Sequence, residues 1–272
     1  MPDAPRTEHD LPSGLRSLEA IQERLRTSRL ALFLDYDGTL CPIAEQPEQA
    51  VLSPTLQQLL RRLAARSTAA VVSGRALADV RERVGLEEIV YAGSHGFEIR
   101  GPAKAVNREV GAEFRPDLES LRDALNTRLD PIPGAWVEGK KQTLAVHYRQ
   151  TPSDRVREVE ATLDEALGRF PRLRKHHGKK VFEVRPRVDW DKGRAVLWLL
   201  GALDLEGPDV LPVYLGDDTT DEDAFRALKG RGIGMLVAAE PRPSAADYRL
   251  RDTVEVRLFL EGLDATLRGG EA

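Results

Sequence analysis

At 272 residues, with 41% apolar and 31% charged side chains, the chain can bury a full core and exceeds one small domain, so two modules are expected. A net charge of -4 supplies no global basic field, which argues against nucleic acid as a partner, and no apolar stretch approaches the roughly 18 residues of a membrane span. Cys41 is the only cysteine, which rules out an internal disulfide and fits a cytoplasmic setting.

Residues 1–14 are polar, hold Pro, Asp and Glu and lack an apolar core, so they read as a disordered tail and not as a signal peptide. Leu15, Leu18, Ile21 and Leu25 recur at helical spacing and predict a helix to about Ser28, which leads into a strand at 30–34. Ser53 as N-cap and Pro54 at the first helical position open a second helix through Leu56, Leu59, Leu60 and Leu63. The apolar run 68–72 predicts a buried strand ending at Ser73-Gly74-Arg75, with a helix behind it marked by Leu77, Val80 and Val84. A short strand at 89–92 ends in Gly93-Ser94-His95-Gly96. Strand and helix in alternation imply a parallel sheet.

From about Pro102 to Arg185 the pattern changes to helices at 118–129 and 153–170 and alternating segments at 136–149 and 179–185. Alternation implies strands with one packed and one open face, hence a separate α+β module. The doubly wound pattern resumes with a helix at 192–203, a strand at 210–215, an acidic loop, a helix at 222–228, a strand near 234–237 and a closing helix at 256–267. The expected organisation is a tail at 1–14, a catalytic core from 15–101 and 186–272, and a cap at 102–185. His176 and His177 are expected on a solvated turn of the cap, and no His, Cys or Glu constellation has zinc spacing.

The two runs that end in acids carry the chemistry. Leu32-Phe33-Leu34 runs into Asp35-Tyr36-Asp37-Gly38-Thr39, and Leu215-Gly216 runs into Asp217-Asp218-Thr219-Thr220-Asp221-Glu222-Asp223. A buried strand whose C-terminal end opens into carboxylates is where open α/β sheets place ligands. Asp35, Asp37, Asp217 and Asp218 would repel one another there unless a hard cation sat among them, and Mg²⁺ fits. Asp35 is ionised at neutral pH and can attack phosphorus, and Asp37 is placed to protonate the leaving oxygen and later to accept a proton from water. Ser73 can hydrogen-bond the transferring phosphoryl group and Lys192 can neutralise its charge.

Asp35-Tyr36-Asp37-Gly38-Thr39, Ser73-Gly74-Arg75, Lys192 and Gly216-Asp217-Asp218, in this order, resemble the four motifs of the haloacid dehalogenase-like phosphatases. Within that superfamily, Gly93-Ser94-His95-Gly96, Leu144-Ala145-Val146-His147-Tyr148-Arg149, Glu183-Val184-Arg185-Pro186 and Trp190-Asp191-Lys192-Gly193 are most similar to the trehalose-6-phosphate phosphatases, over about residues 28–265. The resemblance implies an α/β fold, a doubly wound Rossmann-like core with a parallel sheet plus an inserted α+β cap domain of C2 type. It implies a Mg²⁺-dependent phosphatase in trehalose biosynthesis that acts on trehalose 6-phosphate through phospho-Asp35. Asp37 would be the general acid and base, and Mg²⁺ would be held by Asp35, the Asp37 carbonyl and Asp217, with Asp218 in support. Substrate contacts would fall at Gly74, Arg75, Ser94, His95 and Gly96 in the core, and at Glu138, Lys140, Arg149, Lys179 and Glu183 in the cap. Glu138 and Lys140, and likewise Lys179 and Glu183, would share a sheet face. The enzyme is expected to act as a cytoplasmic monomer on a small molecule, without nucleic acid or membrane.

Competing readings are narrower. A calcium loop starting at Asp35 fails because Gly38 falls at loop position 4 and Gln46 takes the place of the bidentate Glu. Thr219 and Glu222 have capping-box spacing, so Glu222 can be purely structural, and Asp221 stays open between a structural and a site role. His95 either holds its turn or touches substrate. The alternative substrates are sucrose phosphate or a glycosyl-phosphoglycerate, a phosphomutase is conceivable on the same fold, and a non-catalytic sugar-phosphate sensor has no chemical need for both Asp35 and Asp37.

Overall fold

The computed structural model describes residues 11–44, 46–102, 106–178 and 180–269. Contacts divide the chain into two compact units, one formed up to Arg108 and from Trp190 onward, the other spanning Glu109–Asp189. The junctions lie a few residues beyond the changes of pattern at 102 and 186.

In the first unit the helices α1 (Leu18–Leu25), α2 (Pro54–Ala64), α3 (Leu77–Val84), α6 (Lys192–Ala202), α7 (Asp221–Leu228) and α8 (Thr253–Gly269) flank the sheet. Its strands are β1 (Arg29–Leu34), β2 (Thr68–Val72), β3 (Val90–Gly93), β4 (Glu98–Arg100), β10 (Val210–Gly216), β11 (Ile233–Val237) and β12 (Tyr248–Leu250), and the two-residue β5 (Arg108–Glu109) falls at the boundary of the units. The order is β12-β11-β10-β1-β2-β3-β4-β5, with every pair from β12 to β3 parallel and β3–β4 antiparallel.

Alternation along the strands builds two cores. Leu30, Leu32, Leu34, Val71, Leu211, Val213, Leu215 and Met235 pack with α1, α2, α3 and α8, while Ala31, Phe33, Ala70, Val72, Tyr214 and Leu236 pack with α6 and α7. Burial on both faces is why these strands read as continuous apolar runs.

Chain order runs from β1 outward to β2 and β3 on one side and from β10 outward to β11 and β12 on the other, so the direction of winding reverses between β1 and β10. Ligands bind at such a switch point, outside the carboxyl ends of the strands. Leu34 pairs with Leu215 there, and the Asp35 amide donates to the Leu215 carbonyl at 2.9 Å.

The second unit holds α4 (Arg115–Leu129) and α5 (Val156–Leu167) with strands β6 (Trp136–Gly139), β7 (Leu144–His147), β8 (Leu173–Gly178) and β9 (Val181–Pro186). The sheet is antiparallel in the order β6-β7-β9-β8. Leu144, Val146, Phe182, Val184 and Leu173 pack on Leu118, Leu121, Leu125, Val159 and Leu163 of the helices. The register puts Trp136, Glu138, His147, Glu183, Arg185 and His176 on the opposite face.

Two expectations change. His176 and His177 belong to strand β8 and not to a turn: His176 pairs with Glu183 and His177 with Phe182 across the ladder. Of the expected tail, residues 1–10 lie outside the described residues, while 11–14 are ordered: Gly14 donates to the Arg249 carbonyl at 2.8 Å, and Arg249 donates to that of Pro12 at 2.9 Å. Among the described residues no helix is long and apolar enough to cross a membrane.

Candidate active site

Asp35 follows β1 directly, and continuing the alternation of Ala31 and Phe33 puts its side chain on the α6 side of the sheet. Lys192, the first residue of α6, is 2% exposed and donates to Asp35 Oδ1 at 2.9 Å and to Asp221 Oδ1 at 2.6 Å. Asp191 caps that helix by accepting from the Arg194 amide at 2.8 Å, which sets where its first turn begins. Asp221 opens α7, is fully buried, and also accepts from the Tyr214 hydroxyl at 2.6 Å and, through Oδ2, from the Asp218 amide at 2.8 Å.

Asp35, Asp217 and Asp221 each bring a carboxylate oxygen within 4.8 Å of the others. Burial pushes the Asp35 carboxyl well above the ordinary range, with Lys192 pulling down and Asp221 and Asp217 pushing up. Burial, then Asp221 and Asp218, push Asp217 up to about 7. For Lys192 burial opposes the charge, but Asp221 and Asp35 outweigh it and its pKa rises, so the ammonium stays charged. The donors are hard oxygens, and the crowding that raises Asp35 and Asp217 is what a divalent cation relieves, so the set fits such an ion.

The Asp218 side chain does not join this cluster. It is exposed, and its hydroxyl neighbour Thr219 donates to it at 3.3 Å. Asp221 takes the inner place, and the signal for it was its position one helical turn after Asp217. The capping-box reading of Glu222 also fails: its Oε2 accepts from the Ala245 amide at 2.8 Å, in the loop after β11. From the same loop Arg242 donates to the Asp217 carbonyl at 2.8 Å, a contact with no sequence signal.

Asp37 lies two residues past Asp35, and both its carboxylate oxygens accept from Arg75, from Nε and Nη2 at 2.7 Å each. Arg75 thus engages a site carboxylate, where a substrate contact was expected. Ser73 is buried at the end of β2, and its Oγ accepts from the Arg75 amide at 3.1 Å. Gly38 has φ +77°, and a Cβ there would lie 2.1 Å from Asp217 Oδ2, so the turn needs glycine both for its backbone and for the close approach of the acidic loop.

Ser94, His95 and Gly96 form a tight 3-10 turn after β3, with positive φ at all three residues. His95 is buried over Gly74, where a Cβ would meet its Cε1 at 2.7 Å, and its amide donates to the Ser73 carbonyl at 2.8 Å. Its position therefore holds the turn against the Ser73 loop. The Gly96 carbonyl accepts from the Trp190 indole at 2.9 Å.

In the second unit Glu138 on β6 bonds His147 at 2.9 Å, and Trp136 stacks on the His147 ring with centroids 4.0 Å apart. Glu183 on β9 pairs with Arg185. Lys140 falls after the end of β6, in the hairpin turn, and with Lys141 it lines a cleft of about 350 Å³ bordered by Arg115, Leu118 and Arg122 of α4. Arg149 follows β7 and is exposed. Lys179 lies outside the described residues.

The trehalose-phosphatase family model matches residues 33–254, which include every core motif named above. The chain belongs to the trehalose-phosphatase family. Trehalose 6-phosphate phosphatase RA3 of Zea mays is 41% identical, covering 93% of this chain and 74% of its own. Probable trehalose-phosphate phosphatase 9 of Oryza sativa subsp. japonica is 42% identical over the same shares. The C-terminal domain of the C. albicans trehalose-6-phosphate phosphatase has the same fold, with a TM-score of 0.78 at 22% identity over 95% of this chain and 99% of that one. As a trehalose-phosphatase family member the chain is a phosphatase with a small sugar-phosphate substrate, and its α/β fold with a parallel-rich sheet is that of the haloacid dehalogenase-like enzymes. The family implies a divalent metal, for which the acidic cluster supplies donors.

Proposed function

We propose that the protein hydrolyses trehalose 6-phosphate to trehalose and phosphate through a phospho-aspartate at Asp35, with Mg²⁺ as the metal. The observation that carries this reading is the buried Asp35–Lys192–Asp221 arrangement with Asp217 beside it, at the switch point of the sheet, in a chain of this family. Asp35, Asp217 and Asp221 would hold Mg²⁺, with the Asp37 carbonyl, and the ion would shield the phosphate's negative charge from the attacking carboxylate.

Asp35 attacks phosphorus and the phosphorus–oxygen ester bond breaks, with Asp37 giving its proton to the departing sugar oxygen. Water then attacks the phospho-aspartate, Asp37 takes its proton, and phosphate leaves with Asp35 restored. Lys192 holds Asp35 in place and balances charge, and Ser73 offers its hydroxyl to the phosphoryl oxygens. Glu138, Lys140, Arg149, Lys179 and Glu183 of the inserted module recognise the sugar. The single buried cysteine, Cys41, suits a reducing cytoplasmic setting.

The test is phosphate release from a panel of sugar phosphates with and without Mg²⁺, with Asp35→Asn as the blank. Selective, Mg²⁺-dependent release from trehalose 6-phosphate that vanishes in the variant is expected, and Glu138→Ala or Glu183→Ala should raise KM for that sugar far more than for an aryl phosphate. Activity spread evenly over the panel would refute the sugar assignment, and turnover by Asp35→Asn would refute the nucleophile.

A further inference from the structure

We infer that Asp79 and Arg83 are positioning residues that act through Arg75 to aim the ionised Asp37 carboxylate as the base of the second step, an inference that rests on the role proposed for Asp37 there. The contacts form a ladder. Arg75 holds both oxygens of Asp37 and donates from Nη1 to Asp79 Oδ2 at 2.8 Å, and Asp79 Oδ1 accepts from Arg83 Nε at 2.7 Å. Arg75, Asp79 and Arg83 are spaced by four, so they lie along one face just before and within α3.

The ladder returns to the segment that carries Asp37. Arg83 Nη1 donates to the carbonyls of Glu48 and Ala50 at 3.2 Å each, and the Ala50 carbonyl also accepts from the Tyr36 hydroxyl at 2.9 Å. Tyr36 sits between Asp35 and Asp37 in the chain, and the Arg75 guanidinium lies 5.4 Å from the centre of its ring. The Arg75 side chain is only 10% exposed, so it is fixed by packing as well as by charge.

A planar guanidinium that meets a carboxylate through two parallel bonds fixes its rotation as well as its distance. Arg75 can do this only if its own plane is fixed, and Asp79 does so from the far edge of the guanidinium. Arg83 in turn takes the second oxygen of Asp79 and ties the assembly to the backbone before α2. These bonds lead from two backbone carbonyls through Asp79 to Asp37, so the ladder orients the proton-transfer group.

The experiment compares Asp79→Asn and Arg83→Gln with the parent in the full chain, using trehalose 6-phosphate and Mg²⁺. Loosening a catalytic group by a fraction of an ångström should lower kcat between about tenfold and a hundredfold. KM should be unchanged, and so should the rise in melting temperature on adding Mg²⁺. Asp79→Asn should add no further loss to Asp37→Asn, because both act on one group. Parent-like kcat in both ladder variants, a full additional loss in the double variant, or a lost Mg²⁺ response would overturn the inference. If Asp37→Asn itself keeps parent-like turnover, the role of Asp37 fails instead, which separates the two readings. Should Asp79→Asn not fold, Arg83→Gln carries the same comparison.

Discussion

Replacing Lys192 with methionine removes an ammonium that is 2% exposed and donates at 2.9 Å to Asp35 and at 2.6 Å to Asp221. Methionine has a similar length, so little cavity forms and the cost falls on carboxylates that lose their counter-charge. Removing one partner of a buried ion pair costs about 3–5 kcal/mol. Asp35 and Asp217 are already biased toward taking up protons, which lowers the cost toward about 3 kcal/mol near neutral pH. At roughly 2–4 °C per kcal/mol for a chain of this size, the midpoint of thermal unfolding in chelator should fall by about 6–12 °C. The assay is tryptophan fluorescence, since Trp190 and Trp198 both belong to the core unit. Mg²⁺ at about 100 times its Kd adds about 2.7 kcal/mol, so it should recover most of the loss, while turnover stays lost. A midpoint in chelator within about 2 °C of the parent would refute the assignment of Lys192 as the counter-charge of the cluster.

Three further outcomes follow from the same geometry. Asp217 titrates near 7 in the folded chain against an ordinary value of 3.8, so between those values the folded state binds more protons than the unfolded one, and stability in chelator should fall as pH rises from 5 to 8. Mg²⁺ binds the ionised cluster, so its effect on the melting temperature should be larger at pH 8 than at pH 5; equal effects would count against the cluster as its site. Gly38→Ala puts a Cβ against Asp217 and forces an L side chain into a left-handed conformation at a cost of about 1–2 kcal/mol. A Mg²⁺ titration of that variant should show at least about tenfold weaker binding, equivalent to about 1.4 kcal/mol, and unchanged binding would show that the acidic loop moves aside freely. Asp37→Asn should release about one equivalent of p-nitrophenol from p-nitrophenyl phosphate and then stall, because that leaving group needs no proton while the second step still needs a base. Steady turnover without a burst would remove Asp37 from the second step.

Much of the core was legible because its signals are local. A strand buried on both faces must be apolar throughout, so β1, β2 and β10 show as unbroken runs, and the acids just past β1 and β10 mark the open ends of those strands. Ser53 and Pro54 announced α2, and Ser53 does cap it, accepting from the Leu56 amide at 3.2 Å. Strand β8 was hidden because an edge strand bearing Arg174, Lys175, His176 and His177 has no apolar alternation to read, although its charges suit an edge. Strands β4 and β12 are three residues each, too short for a period.

By itself the sequence determined the order of elements, the change of pattern at the inserted module and which acids stand at strand ends, because burial and periodicity act within a few residues along the chain. Only the tertiary structure decided which of those acids meet. Asp218 and Asp221 obey the same local rules, and the choice between them came from Lys192 and Tyr214, on α6 and β10, which bond Asp221 from outside its own segment. The same holds for Glu222, whose capping-box spacing lost to the Ala245 amide, and for Arg75, whose charge went to Asp37 and Asp79. A buried charge takes whichever partner the packed elements bring to it, since leaving it unpaired costs more than any local preference supplies.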